Sequence, residues 1–164
     1  MGQFNAKILA EFQPPRKWKL GRDLTYTTTK LMGDEIKALQ DIGVDVKRDT
    51  DISPEASITV PTDFMTDLAS TPRLLWAFIA PFDVARAAIV HDLLYKSIRQ
   101  YRWQKGTIEE DKKLIKKAKV VADKVFLLAM KDAQPKVSGW KIYSAWKAVD
   151  LFGRWSIVPN EKNI

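Results

Sequence analysis

Cysteine is absent from all 164 residues, and His91 is the only histidine. The first absence excludes disulfides, thiolate catalysis and cysteine-ligated zinc. Any metal would have to be held by carboxylates, amides and His91. The seven glycines lie far apart, so no glycine-rich loop is present to cradle a phosphate. Long apolar runs are missing too: nowhere do eighteen apolar residues follow one another, and Met1 to Lys7 has no charged segment leading into an apolar one. No internal repeat and no low-complexity segment interrupts the chain. These features predict a soluble protein made in the cytoplasm, with no membrane partner.

What is present suffices for one folded unit spanning residues 1–164, because 46% apolar residues can bury a core at this length without staples. The formal charge of +7 invites a nucleic-acid reading. The distribution argues against it: basic residues are scattered, and the densest group, Lys112, Lys113, Lys116, Lys117 and Lys119, falls where a solvated helix face would put it. Six tryptophans exceed what a core of this size requires and point to an interface.

Lys7 to Phe12 alternates loosely, Pro14 and Pro15 break the pattern, and Trp18–Leu20, Leu24–Thr29 and Ser57–Val60 carry the β-branched and aromatic residues of short antiparallel strands. Residues 31–42 fit a short helix ended by Gly43, and 47–55 read as loop. Thr71 followed by Pro72 opens a short helix from Arg73 to Ile79. From Val84 to Arg99, the residues Val84, Ala88, His91, Tyr95 and Ile98 share one helical stripe, which turns His91 toward the core. Thr107 to Glu110 has a capping-box pattern opening a helix to Ala133, with Ile108, Ile115, Ala118, Ala122, Val125 and Ala129 inward. Asp123 is a lone carboxylate among apolar neighbours of that helix. A last helix from Ser138 to Phe152 gathers Ile142, Ala145, Trp146, Val149 and Phe152 on one face and stops at Gly153. Trp140, Tyr143 and Trp146 have the spacing of base- or sugar-stacking rings, but helical spacing makes them core and rim of a packed helix. The predicted fold is α+β: a small antiparallel N-terminal sheet packed on three to four C-terminal helices. Residues 1–65 are mostly β with an inserted segment at about 31–55, residues 71–155 are helical, and 156–164 form a loose tail.

Four stretches are distinctive: Val60-Pro61 through Arg73, His91-Asp92-Leu93-Leu94-Tyr95, Ala122 to Phe126, and Ala148 to Gly153. In these the chain resembles DUF1353, a family of small proteins of unknown function found mostly in bacteriophages and prophages. The family pattern runs Val-Pro-x-Gly-Phe-x-Thr-Asp-Leu-Ala-Ser-x-Pro-Arg, then His-Asp-x-Leu-Tyr, Ala-Asp-x-x-Phe and a closing Leu-Phe-Gly, and the likeness spans about residues 57 to 155. Asp63 stands where the pattern has glycine, and residues 31–55 look like an insertion relative to shorter members. The resemblance implies a virion or tail-associated setting and supplies no established activity.

Two readings of the polar residues stand side by side. In the first, Asp67, His91, Asp92 and Asp123 surround one divalent zinc, manganese or magnesium ion, and the catalytic candidates are Asp67, His91 and Asp92. Adjacent residues such as His91 and Asp92 diverge by about 100° around a helix and seldom share an ion. In the second, Asp67, Ser70, Arg73, His91, Asp92 and Tyr95 form a structural network that satisfies its own buried polar groups. A serine nucleophile at Ser70 served by His91 lacks the flanking glycines of a nucleophile elbow. The expected function is that of a bacteriophage virion-associated structural or accessory protein, in the tail or the head-to-tail region. It would be made in the host cytoplasm and bind other virion proteins or further copies of itself. The alternative is a small metal-dependent hydrolase directed at peptidoglycan.

Overall fold

The computed structural model describes residues 2–15, 17–48, 55–66, 84–105, 108–134 and 136–164. The architecture is α+β, as the strand and helix periodicities predict. Within these residues run β1 (Gln3–Phe4), β2 (Ala10–Gln13), β3 (Lys17–Leu20), β4 (Leu24–Thr28), α1 (Gly33–Asp41), β5 (Val46–Arg48), β6 (Ala56–Val60), β7 (Met65–Thr66), α2 (Ala85–Lys105), α3 (Glu109–Lys131) and α4 (Gly139–Ser156). The strands form two antiparallel sheets rather than one, in the orders β1-β4-β6-β5 and β2-β3-β7.

Alternation explains the central pair. Leu24, Tyr26 and Thr28 of β4 face inward opposite Val60, Ile58 and Ala56 of β6. On the outer face Thr25 meets Thr59 at 3.0 Å and Thr27 meets Ser57 at 3.2 Å, hydroxyl to hydroxyl. The inner face lies against α2, which packs on α3, and α3 in turn carries α1 and α4. Tyr26 Oη donates to Asp132 Oδ2 at 2.8 Å, joining the sheet to the end of α3. The Gly2 amide reaches the same oxygen at 3.1 Å, and a Cβ on Gly2 would lie 2.4 Å from it.

The segment expected as an insertion is built into the core. Leu31, Ile36, Leu39, Ile42, Val44 and Val46 are all buried, and Lys117 and Lys124 of α3 pair with Asp34 and Glu35 of α1 at 2.9 and 2.7 Å. Gly43, with φ +87°, ends α1 as the sequence suggests. Residues 46–48, in part read as loop, form β5; only Val46 of the three is buried, too short an alternation to register as a strand.

Three helix details differ from expectation. α3 opens with Ile108 at its N-cap position, and that residue is exposed rather than inward. α4 continues past Gly153 to Ser156, and Phe152 faces outward. The helix expected at residues 73–79 lies outside the described residues. No described helix is long and apolar enough to cross a membrane.

The β6–β7 turn is tied to the β3–β4 connection. The Asp63 amide donates to the Leu20 carbonyl at 2.9 Å, and the Thr62 amide and hydroxyl reach Asp23 Oδ1 at 2.6 and 2.8 Å. Asp63 itself adopts φ 69°, the left-handed region where glycine is at ease. Holding an L-residue there costs roughly 1–2 kcal/mol, while glycine's extra freedom in the unfolded chain costs about 0.5–1 kcal/mol. Asp63→Gly is therefore expected to raise unfolding stability slightly, and Asp63→Val to lower it by about 2 kcal/mol, as chemical denaturation would show.

Candidate functional site

Two pairs of residues at helical i, i+4 spacing face each other across the α2–α3 contact: His91 and Tyr95 on α2, Lys119 and Asp123 on α3. Asp123 Oδ1 lies 3.3 Å from His91 Nε2 and accepts a hydrogen bond from Tyr95 Oη at 2.7 Å. Its other oxygen is 2.7 Å from Lys119 Nζ, a charge pair without a well-angled hydrogen bond. Lys119 also donates to the Asp150 carbonyl of α4 at 2.9 Å. Two tilted rings contact the imidazole, with the Tyr95 and Phe126 centroids 4.0 and 4.8 Å away. His91, Lys119 and Asp123 are 8%, 9% and 3% exposed, so this is an interior ionic network.

Burial is the largest influence on His91, Tyr95 and Asp123. It pushes His91 below its ordinary 6.5 despite the pull of Asp123, so the ring is neutral near pH 7. Desolvation would raise Asp123, but the hydrogen bonds from His91 and Tyr95 and the adjacent Lys119 ammonium outweigh it and hold the carboxyl ionised. Burial and the neighbouring carboxylate push Tyr95 up, keeping its proton. Asp123 and Lys119 thus carry the only two charges among these four side chains, and they cancel. A neutral ring bonded to a carboxylate donates through Nε2 and keeps a lone pair on Nδ1. Asp123 therefore orients His91, as outer carboxylates do for catalytic or metal-bound imidazoles.

Asp92 turns away from this group. Its Oδ2 accepts a short hydrogen bond from Thr66 Oγ1, which β7 brings over by pairing with β3. Of the residues expected around a metal, His91 and Asp123 come together, Asp92 joins Thr66, and Asp67 lies outside the described residues, as do Ser70 and Arg73. Among the described residues, no three histidine, aspartate or glutamate side chains converge as metal ligands.

Beside the network opens a cavity of about 390 Å³, lined in part by Phe64, Thr66, His91, Asp92, Tyr95 and Phe152. The C-terminal segment closes one side. Arg99 donates to the Asn163 carbonyl at 2.7 Å and to that of Ser156 at 3.3 Å.

Sequence reasoning missed two members of the site. Lys119 falls within a lysine run that reads as a solvated face, yet it is buried; the i, i+4 spacing to Asp123 is its only sequence signal. Gly153 has the sequence position of a helix stop, yet it is the point where α4 meets Tyr95: a Cβ there would stand 2.1 Å from the tyrosine oxygen. Trp140 and Tyr143, expected as core and rim, are exposed by more than half.

No curated protein and no solved structure matches the chain. A family pattern does: residues 43–149, from the end of α1 into α4 and including every member of the His91 network except Asp150 and Gly153, match the proteins of unknown function grouped as DUF1353, and the chain belongs to that family.

Proposed function

We propose that this protein is a structural or accessory component of a bacteriophage particle, in the tail or the head-to-tail region, and that it acts by binding a neighbouring virion protein through α4. The phage setting rests on the family resemblance. The observation that carries the binding reading is the outer face of α4, where Tyr143, Leu151, Phe152 and Trp155 are 59%, 45%, 51% and 63% exposed. Val158 continues the patch, and Lys147 and Arg154 border it, the latter 5.4 Å from the Trp155 ring. Exposed large apolar side chains gathered on one helix mark interaction sites, and Trp, Tyr and Arg are the residues that dominate binding energy. The fitting partner presents an apolar groove with an acidic rim.

A photo-crosslinking amino acid placed at position 143 or 155 tests the reading. It should capture one virion protein in assembled particles, and Trp155→Ser should reduce incorporation about tenfold or more, with unchanged melting. Particles that incorporate the Trp155→Ser and Tyr143→Ser proteins at wild-type levels would refute it.

One observation favours the alternative, a small metal-dependent hydrolase directed at peptidoglycan: His91 lines a cavity, with Asp123 fixing its tautomer. Elemental analysis of chelator-free protein beside an Asp67→Ala control separates the two readings.

A further inference from the structure

We propose that the cavity between β7, α2, α4 and the C-terminal segment binds a small anionic amphiphile, a molecule with a carboxylate, phosphate or sulfonate head on an aromatic or short acyl body. This goes beyond the α4 surface, with which the cavity shares Phe152 at its rim.

Size and lining define the ligand. The volume, about 390 Å³, lies within the range of about 300–1,000 Å³ that holds small molecules. Its walls include Phe64, Phe126, Val149 and Phe152, an apolar and partly aromatic surface suited to a ring or a short chain. Its polar lining is biased in sign. Lys17, Lys96, Arg99 and Lys162 face it, against Asp92 as the one acidic side chain among the described lining residues, and Asp92 already accepts from Thr66. Arg99 is engaged by the C-terminal segment.

The three lysines are different. None of Lys17, Lys96 and Lys162 takes part in an ion pair among the described residues, whereas Lys19, Lys117 and Lys124 find carboxylates within 2.9 Å. Lys96 is the most telling. It is half-buried on α2, its ammonium 5.6 Å from the Phe64 ring centroid, where an apolar wall meets the opening. A charge withdrawn from water calls for a counter-charge, and a ligand head group at this place supplies one while its body covers Phe64 and Phe152.

A fluorescence titration of the full-length protein with 8-anilinonaphthalene-1-sulfonate, an aromatic body carrying one sulfonate, tests the site. The expected result is saturable binding at one equivalent. Lys96→Glu should weaken it about tenfold or more, since attraction to the head group becomes repulsion. Ala88→Trp, which places an indole into the cavity from α2, should abolish it. Trp155→Ser, on the outer patch of α4, should leave it unchanged. Displacement by phenyl phosphate or by laurate then tells an aryl from an acyl ligand. Melting curves accompany every variant, and Lys96→Glu, at a half-exposed position, keeps the test decisive if Ala88→Trp fails to fold. Absence of saturable binding, binding untouched by Lys96→Glu, or binding lost in Trp155→Ser would overturn the proposal. The crosslinking result at α4 is independent of all three.

Discussion

Gly153→Ala is expected to lower unfolding stability by about 2–4 kcal/mol, although it adds a single methyl group to a helix. Helix propensity alone predicts the opposite sign, because alanine is favoured over glycine by about 1 kcal/mol in a helix interior. The clash decides. A Cβ at position 153 would lie 2.1 Å from Tyr95 Oη, 3.1 Å from its Cζ and 3.2 Å from Lys119 Cε. Tyr95 is 5% exposed and its hydroxyl is committed to Asp123, so it can yield only by giving up that hydrogen bond or by spreading α4 from α2. Denaturant unfolding in two backgrounds separates this cause from a general intolerance of α4. In Tyr95→Phe, which lacks the clashing oxygen, the added methyl should cost less than half as much. An equal penalty in both backgrounds would mean that the Tyr95 contact is not the reason for the glycine.

The same position shows what a sequence can and cannot disclose. Glycine near the end of an amphipathic helix fits a C-terminal stop, and only the approach of α2 reveals that it serves packing. The central strands were legible because Leu24, Tyr26 and Thr28 alternate with polar neighbours, and the α2 stripe was legible because Val84, His91, Tyr95 and Ile98 recur at helical spacing. Asp123 stood out as a carboxylate in apolar company. Its partner did not, since Lys119 sits in a run of lysines and composition cannot tell a solvated ammonium from a buried one. The division of the strands into two sheets depends on β3 pairing with β2 on one side and the two-residue β7 on the other, the latter a long-range choice that no local pattern records. Of the α4 aromatics expected as core and rim, Trp146 packs against the core while Trp140 and Tyr143 are exposed, because helical periodicity gives faces but does not say which face is covered.

The other large effect is at Asp123. Asp123→Ala is expected to cost about 3–5 kcal/mol, the range for breaking a buried ion pair by removing one partner. The substitution leaves the Lys119 ammonium, whose side chain is 11% exposed, with only the more distant Asp150 carboxylate at 3.6 Å, and takes the acceptor from Tyr95 and His91. Replacing both charges by apolar side chains, Lys119→Met with Asp123→Leu, should recover part of the loss, because no uncompensated charge remains. The pH dependence follows from the same network. His91 is depressed by burial, so below 6.5 the unfolded chain takes up a proton that the folded ring resists, and stability falls as pH drops from there toward the folded value. Asp123 is also held below its ordinary 3.8, so its contribution is intact above that pH and is lost as pH falls through its folded value. Asp23 and Asp34 are lowered as well and add to this second stage. The first stage belongs to His91, the chain's only histidine. Urea unfolding between pH 7 and 4.5 should therefore show a decline in the wild type that His91→Gln abolishes, whatever that variant's stability at neutral pH. A wild-type profile flat to pH 5 would show that the ring protonates freely in the fold, and that Asp123 holds a cation rather than orienting a neutral base.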